Sequence, residues 1–386
     1  MMTVSFRPET VRDNNIKVVL SCLYGARYSC KELSERVHLS DVAVNKIIRD
    51  MLSQGLVRRA PDEAGACGAG RRHIRYEADG SRGVYVLFEF TPLREAYYVF
   101  DFSGKLLERR SFSAPRVMTL EQVREVFADA AGTVQRIGIP PLCAVMSVPG
   151  QVNPVTKKFY LSGRFNAFVE ADLSPADMAG NMLGCEVLLD NNAHFMAFGN
   201  VIEEDLTDQT VAYVFAGEGV SMSLMYRGQL VIGEAGFAGE VGYDRIYGAG
   251  TLSERCSLIA LEKKCAALTG CAPDAASLFA AFRTDERVRA IVRESAGQLG
   301  YYVNNLVNGT GVDCVIIGGE CKAFGDLYLD AVRAVSDKFC THPAPIRFER
   351  GDAPSVSGMM DTARRFAVDR IVGSGAAADI PPCEKS

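Results

Sequence analysis

Nothing in the 386 residues approaches the apolar run of ~20 that would span a bilayer. No secretory pattern of charged, apolar and small residues opens the chain. A cytoplasmic protein without a membrane partner is therefore expected. Paired cysteine motifs are missing too. Twelve cysteines are scattered between Cys22 and Cys383, none in a C-x-C or C-x-x-C arrangement, and Cys265 and Cys271 are the nearest two. They read as reduced, small core residues, not as a disulfide framework. A strong charge of one sign is also lacking: the net charge is -5. That average hides an asymmetry. Residues 1–80 carry 13 Lys/Arg against 10 Asp/Glu, so the remainder carries -8. A mildly basic head on an acidic body suits a nucleic-acid-binding module joined to a sensor. The length requires two or three domains.

In the head, Asn15–Tyr24 repeats apolar residues at helical spacing. Ser29 then opens a second helix as N-cap, with Glu32 placed to complete a capping box. Ser40 caps a third helix that stops before Gly55. On this third helix Val44, Ile47, Ile48, Met51 and Leu52 share one face, while Val42, Asn45, Lys46 and Arg49 gather on the other. Such a polar, basic face suits insertion in a major groove, whereas an ordinary three-helix bundle would leave it merely solvated. Leu56–Arg59 reads as a strand, 64–70 as a small-residue tip, and Arg71–Tyr76 as a returning strand. This order is that of a winged helix-turn-helix. Ser40, Val42, Asn45, Lys46 and Arg49 are then candidate DNA contacts, with Arg71 and Arg72 on the wing meeting phosphate or the minor groove.

From Gly83 onward the pattern changes to strand-turn-helix units. Strands are expected at Gly83–Phe90, Tyr97–Phe102, Lys105–Phe112, Cys143–Gly150, Glu186–Asp190, Val211–Phe215 and Cys314–Ile317. Helices include Leu120–Gln135 and Arg289–Val307, so the body is α/β. Four segments then carry a resemblance: SVPGQVNP (147–154), DNNAHFMAFGN (190–200), AGEGVSMSLMYRGQLVIGEAGFAGEVGY (216–243) and LGYYVNNLVNGTGVDCVIIGG (299–319). With LSDVAVNKIIRDMLSQGLV (39–57) in the head, the chain resembles the ROK family (repressors, open reading frames and kinases) in its transcription-regulator branch. The resemblance implies a two-lobed, actin-like ATPase (ribonuclease H-like) sugar-kinase fold behind the winged head. The implied division is 1–80, then a first lobe of 81–200 plus 353–386, with a second lobe of 201–352. The last helix, Ala353–Val372, would cross back to the first lobe.

The residues that the family's kinases need are altered. The first phosphate loop becomes Glu89-Phe90-Thr91-Pro92-Leu93, without glycine and with a proline that has no N–H to offer phosphate. The second becomes Gly217-Glu218-Gly219, which sets a carboxylate where a hydroxyl would face phosphate. The catalytic Asp becomes Asn192, an amide that cannot take a hydroxyl proton. The zinc-binding run keeps one cysteine, Cys256, and Tyr243 stands at the position of its histidine. His194, alone beside an apolar helix, reads as a packed or capping residue. These changes imply a non-catalytic body without cofactor or metal. Ligand contacts carried over from the family are Glu240, with Asn166, Asn192, Tyr243 and Glu254 beside it. The resemblance thus implies operator DNA, a sugar or sugar-phosphate effector and a homodimer. A scaffold that binds no sugar and an active sugar kinase are the alternatives.

Overall fold

The computed structural model describes residues 8–61, 74–91, 94–113, 115–153, 156–233, 236–245, 250–351 and 353–373. The head runs α1 (Pro8–Leu23), β1 (Tyr28–Ser29), α2 (Cys30–Val37), α3 (Asp41–Ser53), β2 (Val57–Arg59) and β3 (Arg75–Ala78). The capping box at Ser29 forms as its sequence requires: the Glu32 amide donates to Ser29 Oγ at 3.3 Å and the Ser29 amide to Glu32 Oε2 at 2.7 Å. Ser40 Oγ accepts from the Ala43 amide at 3.2 Å, and Gly55 follows α3 at a φ of +66°. α1 starts earlier than its apolar repeat suggests, because Pro8 is tolerated in a first helical turn.

Strand β3 lies between β1 and β2, antiparallel to both. Among the described residues it runs over Arg75–Ala78, two residues beyond the expected end at Tyr76, since buried Ala78 pairs with Val57 and sets the register; the start of the expected strand, residues 71–73, lies outside the described residues. The tip at 64–70, with Arg71 and Arg72, lies outside the described residues. In the head, three helices thus accompany a small antiparallel sheet.

The first lobe comprises β4 (Val84–Thr91), β5 (Arg94–Asp101), β6 (Leu106–Ser111), α4 (Leu120–Ile137), β7 (Pro141–Val148), the hairpin β8 (Gln151–Asn153) and β9 (Lys158–Leu161), α5 (Asn166–Glu170), α6 (Pro175–Leu183), β10 (Val187–Asn191) and α7 (Asn192–Glu203). The second comprises β11 (Thr210–Ala216), β12 (Val220–Tyr226), β13 (Gln229–Val231), α8 (Leu252–Cys256), α9 (Leu258–Thr269), α10 (Ala275–Thr284), α11 (Glu286–Thr310), β14 (Cys314–Gly318), α12 (Asp326–Phe339) and β15 (Ile346–Phe348). α13 (Pro354–Gly373) then packs back on the first sheet.

The two sheets repeat one topology. Their orders are β10-β7-β4-β5-β6 and β15-β14-β11-β12-β13, each an antiparallel meander followed by two parallel strands. Both faces of each sheet are covered, so the central strands are predominantly apolar. Along β4, Val84, Val86, Phe88 and Phe90 enter the core under α4 and α6, while Tyr85 and Leu87 enter the core under α13. Along β11, Ala212, Val214 and Ala216 face the core containing α11, whereas Val211, Tyr213 and Phe215 pack on α7. Helices α7 and α13 therefore form the layer between the sheets. They cross through two glycines: a Cβ at Gly199 would overlap the Pro354 carbonyl, and one at Gly358 the Phe195 carbonyl.

The boundary expected at residue 80 marks a change of architecture but not of core. Ile16, Val19, Leu20 and Leu23 of α1 share one cluster with Ile48 and Met51 of the head and with Leu87, Phe102, Met359 and Ala363 of the body. The Arg364 guanidinium sits 4.2 Å from the centre of the Tyr24 ring, and the Gly25 amide donates to the Ser103 carbonyl at 3.1 Å. Leu20→Ala should accordingly cost about 2–5 kcal/mol. Hydrogen-exchange mass spectrometry is expected to show α1 and β4–β5 losing protection together. Loss confined to the head would mean that the two parts are energetically separate.

Candidate functional site

Helix α3 divides as its periodicity requires. Val44, Ile47, Ile48 and Met51 are buried and Leu52 is half-buried, while Val42, Asn45, Lys46 and Arg49 face solvent. Val42 is 81% exposed, an unusual position for a valine at the start of a helix. The Asn45 amide donates back to the Asp41 carbonyl at 2.7 Å. Charge distinguishes this face from its surroundings. Arg12 pairs with Asp50, Arg27 and Arg58 with Glu77, and Arg75 with Glu32. Among the described residues, neither Lys46 nor Arg49 has an ion-pair partner, and exposed Arg59 at the end of β2 has none either. The positive potential of these three side chains is therefore not neutralised locally. Arg59 was legible only as part of a strand.

A cleft of about 510 Å³ separates the lobes. Its walls bring together Asn192, Glu240, Tyr243 and Glu254, four of the five expected ligand contacts. Asn166 is not among them. It is exposed at the start of α5, and its amide donates to Glu170 Oε1 at 2.7 Å. The chain turns there because Phe165 and Phe168 anchor the segment in the first-lobe core, leaving Ser162 and Gly163 on the wall instead.

The start of α7 forms one side of the cleft. Asn191 Oδ1 and Asn192 Oδ1 lie 2.7 and 2.9 Å from the Ala193 amide, and Asn191 Nδ2 donates to the Gly150 carbonyl at 2.7 Å. Opposite, Glu240 Oε2 accepts from Gln151 Nε2 at 3.0 Å, a bond made from lobe to lobe. Glu254 Oε2 accepts from the Thr251 amide at 2.7 Å, closing a capping box on α8. Half-exposed Tyr243 has its phenol pKa raised by partial burial and by the charge of Glu240. His194 is buried, with Nδ1 2.7 Å from Asp190 Oδ1. Burial alone would lower its pKa, but the Asp190 charge and hydrogen bond, with Glu240 beyond, raise it. Neither His194 nor Asp190 lines the cleft.

Side chains bond at the described parts of the two segments that resemble the family's phosphate loops. Glu89 is buried and accepts from Tyr98 Oη at 3.0 Å and from Ser355 Oγ. Pro92 and Leu93 lie outside the described residues. At the second loop, Glu218 Oε1 accepts from Arg116 Nε at 2.9 Å, and Arg116 Nη2 reaches Glu262 at 3.3 Å. A first-lobe arginine thus joins two second-lobe carboxylates. A Cβ at Gly217 would overlap the Glu320 carboxylate, which stands against the loop. Burial pushes the Glu320 pKa up to about 7, with the charges of Glu218 and Glu349 adding to the rise and backbone N–H groups opposing it. Arg116, Gln151, Glu262 and Glu320 escape sequence reasoning: Arg116 lies 102 and 146 positions from its two partners, so no spacing announces them. Cys256 is buried and donates to the Ser295 carbonyl at 3.4 Å, with burial raising its pKa to about 12. The cleft therefore offers amides and carboxylates, groups that hold hydroxyls, and an amide at position 192, which accepts no proton.

Duplicated five-stranded sheets around a cleft, with two crossed helices between them, define the actin-like ATPase fold in its sugar-kinase form. The sequence model of the ROK family matches residues 95–365, and the chain belongs to that family. Among curated proteins, the "Putative xylose repressor" of Caldicellulosiruptor sp. (strain Rt8B.4) is 22% identical over 367 residues, spanning 87% of this chain and 90% of that protein. The crystal structure of a ROK family transcriptional regulator, described as a homolog of the E. coli MLC protein, superposes with a TM-score of 0.73 at 13% identity. It covers 94% of this chain and 98% of its own. The ROK hexokinase of Thermus thermophilus gives a TM-score of 0.58 at 21% identity, covering 74% of this chain and 99% of its own.

The Arg116 bridge generates a test. Glu262 is 2% exposed at its side chain, so losing Arg116 leaves a buried carboxylate unpaired. Arg116→Ala should destabilise the body by about 1–3 kcal/mol at pH 7, and Glu262→Gln in the same chain should recover part of that loss. Chemical denaturation of the four chains of the double-mutant cycle measures the coupling. Strict additivity would show that the bridge carries no energy.

Proposed function

We propose that this chain is a DNA-binding transcriptional regulator of genes for carbohydrate uptake or catabolism. Its body senses a sugar or sugar phosphate and no longer transfers phosphate. The observation that carries the DNA-binding half is the unneutralised face of α3. Exposed cations there meet phosphate or guanine, and Val42 suits a thymine methyl group. The regulator and the repressor named above share the family with this chain, which supports the same reading. One winged helix makes few base contacts, so a two-fold homodimer on a paired site completes the proposal.

The sensing half rests on the cleft itself. Glu240, Asn192 and Glu254 converge where hydroxyls can be held, while phosphoryl transfer lacks its base and both phosphate loops. No metal or nucleotide is needed for binding of this kind.

Two outcomes are expected. Lys46→Ala and Arg49→Ala should each weaken operator binding by about 1–3 kcal/mol, read by gel-shift titration. Unchanged affinity in the folded double variant would remove α3 from the interface. In a coupled assay over a panel of hexoses and pentoses, ADP release should stay at the no-enzyme rate. Sugar-dependent release that Asn192→Ala abolishes would restore the chain to the kinases.

A further inference from the structure

We infer that the cleft selects an effector without negative charge: a neutral or amino-bearing saccharide, and not a sugar phosphate or a uronic acid. This rests on the sensing role proposed above and decides between its two chemical classes. Among the described residues, the cleft lining contains three carboxylates, Glu218, Glu240 and Glu254, and no Lys, Arg or His.

Four cationic side chains near the cleft are already committed. Arg116 is held between Glu218 and Glu262 at 2.9 and 3.3 Å. Lys322 is held by Glu349 at 2.6 Å, Arg164 is paired with Glu95, and the ring of His194 is bonded to Asp190 at 2.7 Å. An incoming phosphate would have to take Arg116 from two carboxylates, one of them buried, leaving both unpaired.

A feature that favours an anion is the N-terminus of α7. Its helix dipole is worth about half a positive charge. The Asn191 and Asn192 side-chain oxygens already stand on the Ala193 amide that opens the helix. Counting Arg116 against Glu218, two carboxylate charges remain on the walls, so the negative potential wins. Hydroxyl and ammonium groups are different. They donate to carboxylate oxygens, as Gln151 Nε2 does to Glu240 in this structure. A saccharide hydroxyl replaces that amide donor with one of the same kind, and a phosphate cannot.

The test compares neutral saccharides with charged derivatives of the same ring: glucose with glucosamine, glucuronate and glucose 6-phosphate, and mannose with mannose 6-phosphate. Calorimetric titration of the full-length protein measures each at 0.1 M salt. The neutral or amino member should bind at least about 30-fold more tightly than its phosphorylated partner, since each like charge within several ångströms costs about one order of magnitude. Glu218→Gln with Glu254→Gln should narrow that gap by about 10-fold, and glutamine at 254 keeps the capping box of α8. A phosphorylated member or glucuronate binding as tightly as its neutral partner would overturn the charge selection while leaving the sensor in place. Binding of no saccharide at all would overturn the sensor reading and this inference with it.

Discussion

The close crossing of α7 and α13 is the constraint on which the rest of the body depends. Two sheets can share a single intervening layer only if its helices approach until backbone meets backbone. Gly199 against Pro354 and Gly358 against Phe195 permit this. The same crossing fixes where the cleft begins, because Asn191 and Asn192 open α7 at the mouth. It also carries α13 across the first sheet to Arg364 and hence to Tyr24 of the head. One packing event thus positions the asparagines that line the cleft and seats the head.

A second theme is the replacement of an external bridge by an internal one. Nucleotide-binding proteins of this architecture hold phosphate with glycine backbone and balance its charge. In this chain the carboxylates of Glu218 and Glu320 stand at the segment that resembles the family's second phosphate loop, and Arg116 pairs with Glu218 from the other lobe. Gln151 with Glu240, and the Tyr160 and Phe237 rings 4.6 Å apart, add two further contacts between lobes. The lobes are therefore tied by side chains alone.

Local physics made much of this legible in the sequence. Ser29 with Glu32 and Ser40 with Ala43 are contacts of three residues, and the two faces of α3 follow from helical period. The body strands were recognisable because sheets covered on both faces need largely apolar runs, as in residues 84–88. The cleft residues came by family resemblance and not from spacing. Four of the five line the cleft, whereas Asn166 turns away because Phe165 and Phe168 are anchored in the core. Distance in the chain hid the rest. Arg116 and its carboxylates lie on different lobes, and the core shared by head and body joins α1 to α13 across most of the sequence.

That shared core has a geometrical consequence. A winged helix on a flexible tether searches a volume and tolerates many spacings between its targets. With α1 sunk into the first lobe, Tyr24 clamped under Arg364 and Lys17 paired with Asp369, the head has no tether. In the homodimer proposed above, the separation and tilt of the two α3 helices would be set by the pairing of the bodies, as in a calliper. A rotation of a few degrees between bodies would then move the helix tips out of phase with successive grooves of the proposed operator, although no residue of either head would change its contacts.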